Sequence, residues 1–311
     1  MRWIDFVNRD PVPWLLDPEN PSARLLTLRH IFKRPEANLE RDYTALLAWE
    51  PVQAIIARAK PGSFWGREEN PYFGGPIGTF GTLATLAQLS VPTFPQARAA
   101  CGNLFEHGHL PDGRFAPQEP GPLTWLCYTG MALKILCHFG FKNDPRTHAT
   151  SAALAHIVNH KPEQLTCKIA GGNCMAGTLK SLVGLLSLPA HQRTAEEAAA
   201  ITALTEQLLD YPFDFKKREA AWLQLHFPRY YESDLLELCR VLASTLPPDH
   251  PRLQMLVKKL LTYQTAEGRW IKTTQGPSDI QVERPERPSR WLTFEAVHTL
   301  VMVYGSNTYA A

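Results

Sequence analysis

The sequence lacks any run of five like charges and any long apolar stretch. Its 32 lysines and arginines nearly balance its 30 acidic residues, and the nearest basic cluster, residues 216–218, is too short for the basic stripe that nucleic acid requires. No segment approaches the roughly 18 uninterrupted apolar residues of a membrane-spanning helix. Residues 1–5 do not resemble a signal peptide. These absences predict a cytoplasmic protein with no nucleic-acid partner and no transmembrane segment.

Cysteine is also scarce. Six cysteines in 311 residues are too few for a disulfide framework, and in the cytosol they would remain reduced. They are therefore either small core residues or metal ligands. The chain is 44% hydrophobic, which is enough to bury the core of a globular protein of this size.

What the sequence does contain is a repeat. Glycine-aromatic corners occur at residues 62–66, 112–115 and 267–270, and each is followed by an apolar run. Arg98, Arg146 and Arg193 follow proline or glycine turns and recur about every fifty residues. A period of this length indicates an array of helical hairpins, none of which can bury its apolar face alone.

The apolar runs are too long for strands and are flanked by helix stops, so we expect helices that are buried on nearly every side. Amphipathic helices lie between them. The apolar helices are predicted at residues 78–90, 126–139, 174–188, 234–246 and 292–304, and the amphipathic ones at residues 96–106, 146–159, 194–209 and 253–263.

Alternating apolar and amphipathic helices predict an inner ring enclosed by an outer ring. The predicted fold is an all-α protein, an α/α toroid of about five repeats with almost no strand and with its chain ends close together. An open solenoid shares the pattern, but the repeats show no polar capping unit. We assign the toroid domain to residues 41–311 and an N-terminal segment packed on it to residues 1–40.

One corner carries a family resemblance. From Gln264 to Trp270 the chain has the Gln-x-x-x-Gly-x-Trp pattern of squalene and hopene cyclases, and residues 112–115 and 61–66 are weaker copies. The set resembles the terpenoid cyclase and protein prenyltransferase superfamily of α/α toroids. This resemblance implies that Gln264 and Trp270 tie adjacent repeats together. The catalytic Asp-x-Asp-Asp and Asp-Asp-x-x-Asp motifs of those cyclases are missing, which argues against an ordinary cyclase.

The cysteines suggest a metal site. Cys127 and Cys174 occupy the same register of neighbouring repeats, and Cys167 lies in the segment that leads into the second of these helices. Three thiolates at one end of the ring would suit Zn²⁺, with Asp234 as the fourth ligand. The alternative is that Cys127 and Cys174 are small residues that pack helices together.

Zinc sites of related toroids match these residues only in part. Residues 125–130 resemble the Trp-Cys-x-Gly segment of lanthionine synthetase cyclases, but Met175 stands where those proteins have a histidine. Protein prenyltransferase β subunits place an aspartate two residues before the cysteine, where this chain has Trp125 and Gly172.

Polar residues on the apolar helices are the candidate catalytic groups. Asp234 and Tyr128 fall at one level of the ring, and a carboxyl group in an apolar cavity could serve as a general acid. Glu295 lies about one turn deeper, and it completes the predicted catalytic set. Asp234 could equally cap a helix. Near Glu295 we expect further cavity-lining or mutually paired residues, namely Lys180, Cys239, His298 and Lys134.

Two functions remain open at this stage. The first is a cyclase- or transferase-like enzyme, with zinc as cofactor, that acts on a small hydrophobic or isoprenoid-like ligand in a central, mostly apolar pocket. The second is a non-catalytic module whose ring is filled by its own side chains and whose outer face binds a protein partner or a second copy. The interior of the ring discriminates between the two.

Overall fold

A computed structural model describes residues 2–117, 125–161, 163, 166–167, 172–213, 217–273 and 282–305. These residues form α-helices joined by turns and short 3-10 segments, with one antiparallel pair of two-residue strands, β1 (Thr166–Cys167) and β2 (Gly172–Asn173). The all-helical toroid predicted from the sequence is confirmed. The helices are α1 Val12–Leu15, α2 Pro21–His30, α3 Glu40–Ala48, α4 Glu50–Ala57, α5 Thr79–Gln88, α6 Pro95–Gly108, α7 Leu126–His138, α8 Pro145–His160, α9 Met175–Leu186, α10 Ala195–Asp210, α11 Leu235–Ala243, α12 Pro251–Leu261 and α13 Arg290–Tyr304.

The inner ring consists of the helices that the apolar runs predict. Helices α5, α7, α9, α11 and α13 pack in that order, each against the next, and every residue of α5 is buried. The ring closes through α2, which packs on α13. The Ser22 hydroxyl of α2 donates a hydrogen bond of 2.9 Å to the Leu89 carbonyl just after α5. Helix α2 is thus a sixth inner helix, and the division of the chain after residue 40 stays a prediction.

The outer helices have one exposed face. Helices α6, α8, α10 and α12 each pack on the inner helix that precedes them, and α8 also packs on α10. Helix α10 begins with a reciprocal capping box in which the Thr194 side chain accepts from the Glu197 amide and Glu197 accepts from the Thr194 amide. Such a cap satisfies amides that the first helical turn leaves unpaired. None of the described helices is long and apolar enough to cross a membrane.

The glycine-aromatic corners anchor three of the inner helices, α5, α7 and α13. The aromatic residue of the corner is buried, and its backbone amide donates to a threonine hydroxyl in the first turns of the following inner helix. The three pairs are Trp65 with Thr79, Phe115 with Thr129 and Trp270 with Thr293, at 2.9, 3.2 and 3.0 Å.

Gln264 joins the last corner to the beginning of the chain. Its Oε1 atom accepts from the Asn8 amide at 2.8 Å, and its Nε2 atom donates to the Phe6 carbonyl at 3.0 Å. The Phe6 ring stacks on Tyr304 of α13 with a centroid separation of 3.9 Å. The described ends of the chain therefore meet, and Gln264 holds residues of the N-terminal segment at the last corner. That it ties adjacent repeats together stays a prediction.

Helices α7 and α9 cross with their backbones in contact. A Cβ atom on Gly130 would lie 2.2 Å from the Lys180 carbonyl oxygen, and one on Gly184 would lie 2.6 Å from the Gly130 carbonyl oxygen. Only glycine fits at such a crossing. The close approach brings the lysines Lys134 of α7 and Lys180 of α9 into the same part of the ring.

Candidate ligand chamber

Aromatic side chains fill the ring near the starts of α5 and α7. Tyr128 lies 5.0 Å from Tyr72 and 5.4 Å from Phe80, measured between ring centroids. Its hydroxyl is hydrogen-bonded to Tyr230, and burial raises the pKa of both phenols. Tyr128, one of the predicted catalytic residues, is therefore part of a packed and uncharged aromatic cluster.

Asp234 is fully buried at the start of α11. Its Oδ1 atom accepts from the Glu237 amide and from Nη2 of Arg229, and its Oδ2 atom accepts from the His226 amide and from Nε of Arg229. Burial alone would raise the pKa of Asp234. The charge of Arg229 and the hydrogen bonds from Arg229 and His226 outweigh burial and hold this pKa well below its usual range. The predicted general acid is thus a carboxylate that caps a helix and pairs with an arginine, and its lowered pKa favours the ionised form.

The same contacts remove Asp234 from the predicted zinc site, because four donors already use its oxygen lone pairs. Cys174 precedes α9, where its Sγ atom accepts from the Gly177 amide at 3.3 Å. Among the described residues, no group of three metal-binding atoms includes Cys127, Cys174 or Asp234. The side chain of Cys167 lies outside the described residues. Zinc binding through the cysteines stays a prediction.

Deeper in the ring, three carboxylates and their cationic partners form a buried network. Arg229 pairs with Glu295 as well as with Asp234, and Nε of Arg240 lies 3.3 Å from Oε1 of Glu295. Lys180 Nζ contacts both oxygens of Glu237 at 2.9 and 2.7 Å. Glu295, the third predicted catalytic residue, therefore has each of its oxygens engaged by an arginine.

Gln88 of α5 fixes the backbone of Arg229. Its Oε1 atom accepts from the Arg229 amide at 2.8 Å, and its Nε2 atom donates to the Arg229 carbonyl at 2.7 Å. Because its backbone amide and carbonyl are both hydrogen-bonded, Arg229 extends its guanidinium group from a fixed position towards α11 and α13. The irregular segment before α11 is thereby attached to α5 at this residue.

Lys134 stands apart from these pairs. It has no hydrogen-bond or ion-pair partner among the described residues. Burial, followed by the charges of Arg240 and Lys180, lowers its pKa to about 8, against the opposing effect of Glu237 and Glu295. The cations of the network are Lys134, Lys180, Arg229 and Arg240, whereas its carboxylates are Asp234, Glu237 and Glu295. The cluster therefore holds one cation more than its carboxylates can neutralise.

Lys134 lines two adjoining cavities. The smaller, of about 30 Å³, lies between Lys134, Lys180 and Tyr230 and has room for a water molecule. The larger, of about 410 Å³, lies between the C-terminal parts of α2, α5 and α9 and the first half of α13; we call it the chamber. Its wall includes Leu26, His30, Gln88, Lys134, Val183, Leu186, Arg193, Arg240, Trp291, Phe294, Glu295 and His298. This lining mixes apolar and charged groups, in contrast to the mostly apolar pocket predicted from composition.

Two histidines on the chamber wall are uncharged at neutral pH. The rings of His30 and His298 lie 4.8 Å apart. Burial is the main cause that lowers their pKa values, to about 4 for His30 and about 3 for His298. Neutral imidazoles can both donate and accept hydrogen bonds, so this wall is polar without adding charge.

Sequence reasoning found some of these groups and missed others. Lys180, Lys134 and His298 were identifiable because they interrupt apolar helices. Arg229 was missed because it lies in an irregular segment that carries no periodicity. Arg240 was missed because it resembles an ordinary exposed residue near the end of α11.

No protein-family model and no curated protein matches this chain. Solved structures of the type II terpene cyclase MstE from Scytonema are similar to it. An aspartate-to-asparagine variant in complex with geranylgeranyl dihydroxybenzoate is 12% identical, with a TM-score of 0.34, over 87% of this chain and 99% of that chain. The apo enzyme is 12% identical, with a TM-score of 0.33, over 83% of this chain and 97% of that chain. A likeness this distant carries no argument about ligand or reaction.

Proposed function

We propose that the protein binds a small ligand in the chamber, and that this ligand joins an apolar, isoprenoid-like part to an anionic group. The observation that carries the proposal is the uncompensated charge of Lys134 beside a cavity of about 410 Å³. Cavities of this size are in the usual range for small-molecule sites. The apolar wall, formed by Leu26, Trp291 and Phe294, would take the isoprenoid-like part.

The charge argument depends on what else could neutralise Lys134. Lys134 is partly buried, and leaving such a cation unpaired is costly. Helix C-termini carry partial negative charge, but three carbonyls at the ends of α5 and α9 already accept hydrogen bonds. Arg193 donates to the Leu186 and Leu188 carbonyls, and the Trp291 indole donates to the Gln88 carbonyl. The chamber's own carboxylate, Glu295, is already engaged by Arg229 and Arg240. A carboxylate or phosphate on the ligand would therefore supply the counter-charge for Lys134.

We infer that catalysis in this chamber would use Lys134 rather than Asp234. A lysine with a pKa of about 8 exchanges protons readily near neutral pH, whereas Asp234 stays ionised. The predicted zinc ligand Cys127 precedes Lys134 by seven residues of α7, a rise of about 10 Å along the helix. A zinc ion at the cysteines would therefore lie too far from a ligand at Lys134 to take part in its chemistry. Its role would be structural.

The test compares two probes of equal apolar length, farnesoate and the neutral alcohol farnesol, by isothermal titration calorimetry. Farnesoate should bind the protein at least about tenfold more tightly than farnesol. Lys134→Met should abolish that preference, while Lys142→Met, which changes an exposed lysine just after α7, should keep it. Equal affinity for both probes, or a preference that survives Lys134→Met, would refute the anionic ligand.

The alternative, a non-catalytic module, is favoured by the aromatic cluster that fills one end of the ring. Tyr231, next to Tyr230 of this cluster, is 53% exposed and could contact a partner protein. This function predicts that neither farnesoate nor farnesol binds. It also predicts that Tyr231→Ala leaves thermal stability unchanged, because an exposed ring contributes little to the core.

A further inference from the structure

A separate cluster of metal-binding side chains lies on the outer surface, where α8 meets α10. His156 and His160 are one turn apart on α8, and Glu196 lies in the first turn of α10. Residues four apart share one face of a helix. All three side chains are about half exposed. They therefore lie outside the core, and none of them lines the chamber.

The backbone around Glu196 is fixed on α8. The Asn159 side chain donates to the Glu196 carbonyl at 2.9 Å. The next residue, Glu197, is buried, caps α10 and accepts a hydrogen bond from Ser151 of α8. Glu196 is thus held opposite the two histidines by contacts that do not involve its own carboxylate.

The spacing of the three groups suits one transition-metal ion. Nε2 of His160 lies 3.3 Å from Oε1 of Glu196, and Nδ1 of His156 lies 3.8 Å from the same oxygen. The ligand atoms of all three residues lie within 4.8 Å of one another. Tetrahedral zinc with bonds near 2.0 Å separates its ligands by about 3.3 Å, so small side-chain rotations would complete the site.

An ion pair without metal explains this arrangement less well. A charge-assisted hydrogen bond between imidazolium and carboxylate is normally about 2.7–2.9 Å long, and neither histidine comes that close. Both histidines lie within ion-pair distance of Glu196, at 3.8 and 3.3 Å, but neither forms a short hydrogen bond with it. Two imidazoles and one carboxylate favour zinc, nickel or copper, whereas magnesium and calcium prefer oxygen ligands alone.

We propose that His156, His160 and Glu196 bind one transition-metal ion of the zinc class, with water in the fourth position. The ion would clamp α8 to α10 on the outer ring. Because the unfolded chain has no such site, binding would stabilise the folded state in proportion to the logarithm of the metal concentration. This inference does not depend on the chamber or its ligand.

The experiment titrates metal-free protein with Zn²⁺ alone by calorimetry. The His156→Ala and His160→Ala double variant should lose the site, and Glu196→Gln should weaken it by at least about tenfold. His148→Ala is the matched control, because His148 is exposed on α8 two turns before His156. Since these positions are exposed, the variants should fold normally.

Zinc binding at the histidine site is distinguished from binding at the cysteines by repeating the titration with the Cys127→Ser and Cys174→Ser variant. The histidine site should still bind Zn²⁺ in that variant. Zn²⁺ should raise the melting temperature of the wild type but not of the double histidine variant. The proposal is overturned if the double variant binds Zn²⁺ as the wild type does. It is also overturned if His148→Ala weakens binding as much as the double histidine variant does.

Discussion

Arg229 and Asp234 form a two-pronged ion pair inside the ring, with Nε–Oδ2 and Nη2–Oδ1 distances of 2.9 and 3.0 Å. Through Gln88 and Glu295 the same arginine also reaches α5 and α13. One residue therefore links three inner helices, through its backbone to α5 and through its side chain to α11 and α13. Because both ions are buried, the cost of removing them from water offsets much of their attraction, so the pair adds little net stability. Removing one partner should nevertheless destabilise the fold strongly, because the other charge would be left buried and unpaired.

Asp234→Asn should lower the free energy of unfolding by about 3 kcal/mol, because it leaves the Arg229 charge without its main partner. Urea unfolding followed by circular dichroism measures this loss. The control is Asp112→Asn, which removes an ion pair from a half-exposed aspartate and should change stability by less than about 1 kcal/mol. A small effect of Asp234→Asn would mean that the carboxylate is free for another role.

Lys134→Met should stabilise the protein by about 2 kcal/mol at pH 7, since it removes an uncompensated cation from the ring. The pKa of Lys134 is about 8 in the folded protein, against 10.5 for an unperturbed lysine, so the wild type gains stability as pH rises between these values. The advantage of the variant should therefore shrink towards pH 10.5. Unfolding curves across this range provide the measurement, and a destabilised variant at pH 7 would contradict the charge argument.

Acid should destabilise the protein partly through His30 and His298. Their folded pKa values, about 4 and about 3, lie below the 6.5 of an unperturbed histidine. As pH falls below 6.5, these histidines become protonated in the unfolded chain but stay neutral in the folded protein. Proton binding therefore favours the unfolded state, and stability is lost. His298→Phe should give a shallower loss between about pH 6 and pH 4. The exposed His191 supplies the control, because His191→Ala should leave the slope unchanged.

Gly130→Ala should destabilise the protein by several kcal/mol, because its methyl group would lie 2.2 Å from a carbonyl oxygen of α9. Gly102 of α6 provides the matched control, since a Cβ atom there meets nothing within 4 Å. Gly102→Ala should be neutral or stabilise by up to about 1 kcal/mol. Equal effects at the two sites, measured by thermal unfolding, would show that α7 and α9 are not in backbone contact.

The cysteine zinc site has its own test. After expression with added zinc, elemental analysis should detect metal that is reduced by the combined Cys127→Ser and Cys174→Ser substitutions. The His156→Ala and His160→Ala variant must be analysed in parallel, because the outer site would also contribute. Metal content that does not respond to the cysteine substitutions would remove the sulfur site and leave packing as the role of these residues.

The fold was predictable because it depends on features that recur at a regular spacing along the sequence. Apolar runs, corner glycines and the Gln264 motif repeat along the chain, and the inner helices appear where these features place them. Helix α2 was harder to place, because a single helix outside the repeat gives no sign of whether it closes the ring. Only its contacts with α13 and with the residue after α5 reveal that it does.

The candidate site was less predictable because it depends on pairing across the ring. The sequence identified Asp234 as an acid, a metal ligand or a cap, and only the position of Arg229 decides between them. Lys134 is the opposite case: it is a candidate ligand-binding residue because it has no partner among the described residues. Neither a pairing between distant residues nor the lack of one leaves a periodic signal in a single sequence.

The bond between Gln264 and Asn8 joins residues 256 positions apart. A ribosome that adds about 5–20 residues per second would release Asn8 on the order of tens of seconds before Gln264. During that time the hairpins can stack one on another, but α2 must wait for α13. The nascent protein would thus be an open arc with its apolar inner surface unsealed, and the chamber would come into existence only with the final repeat.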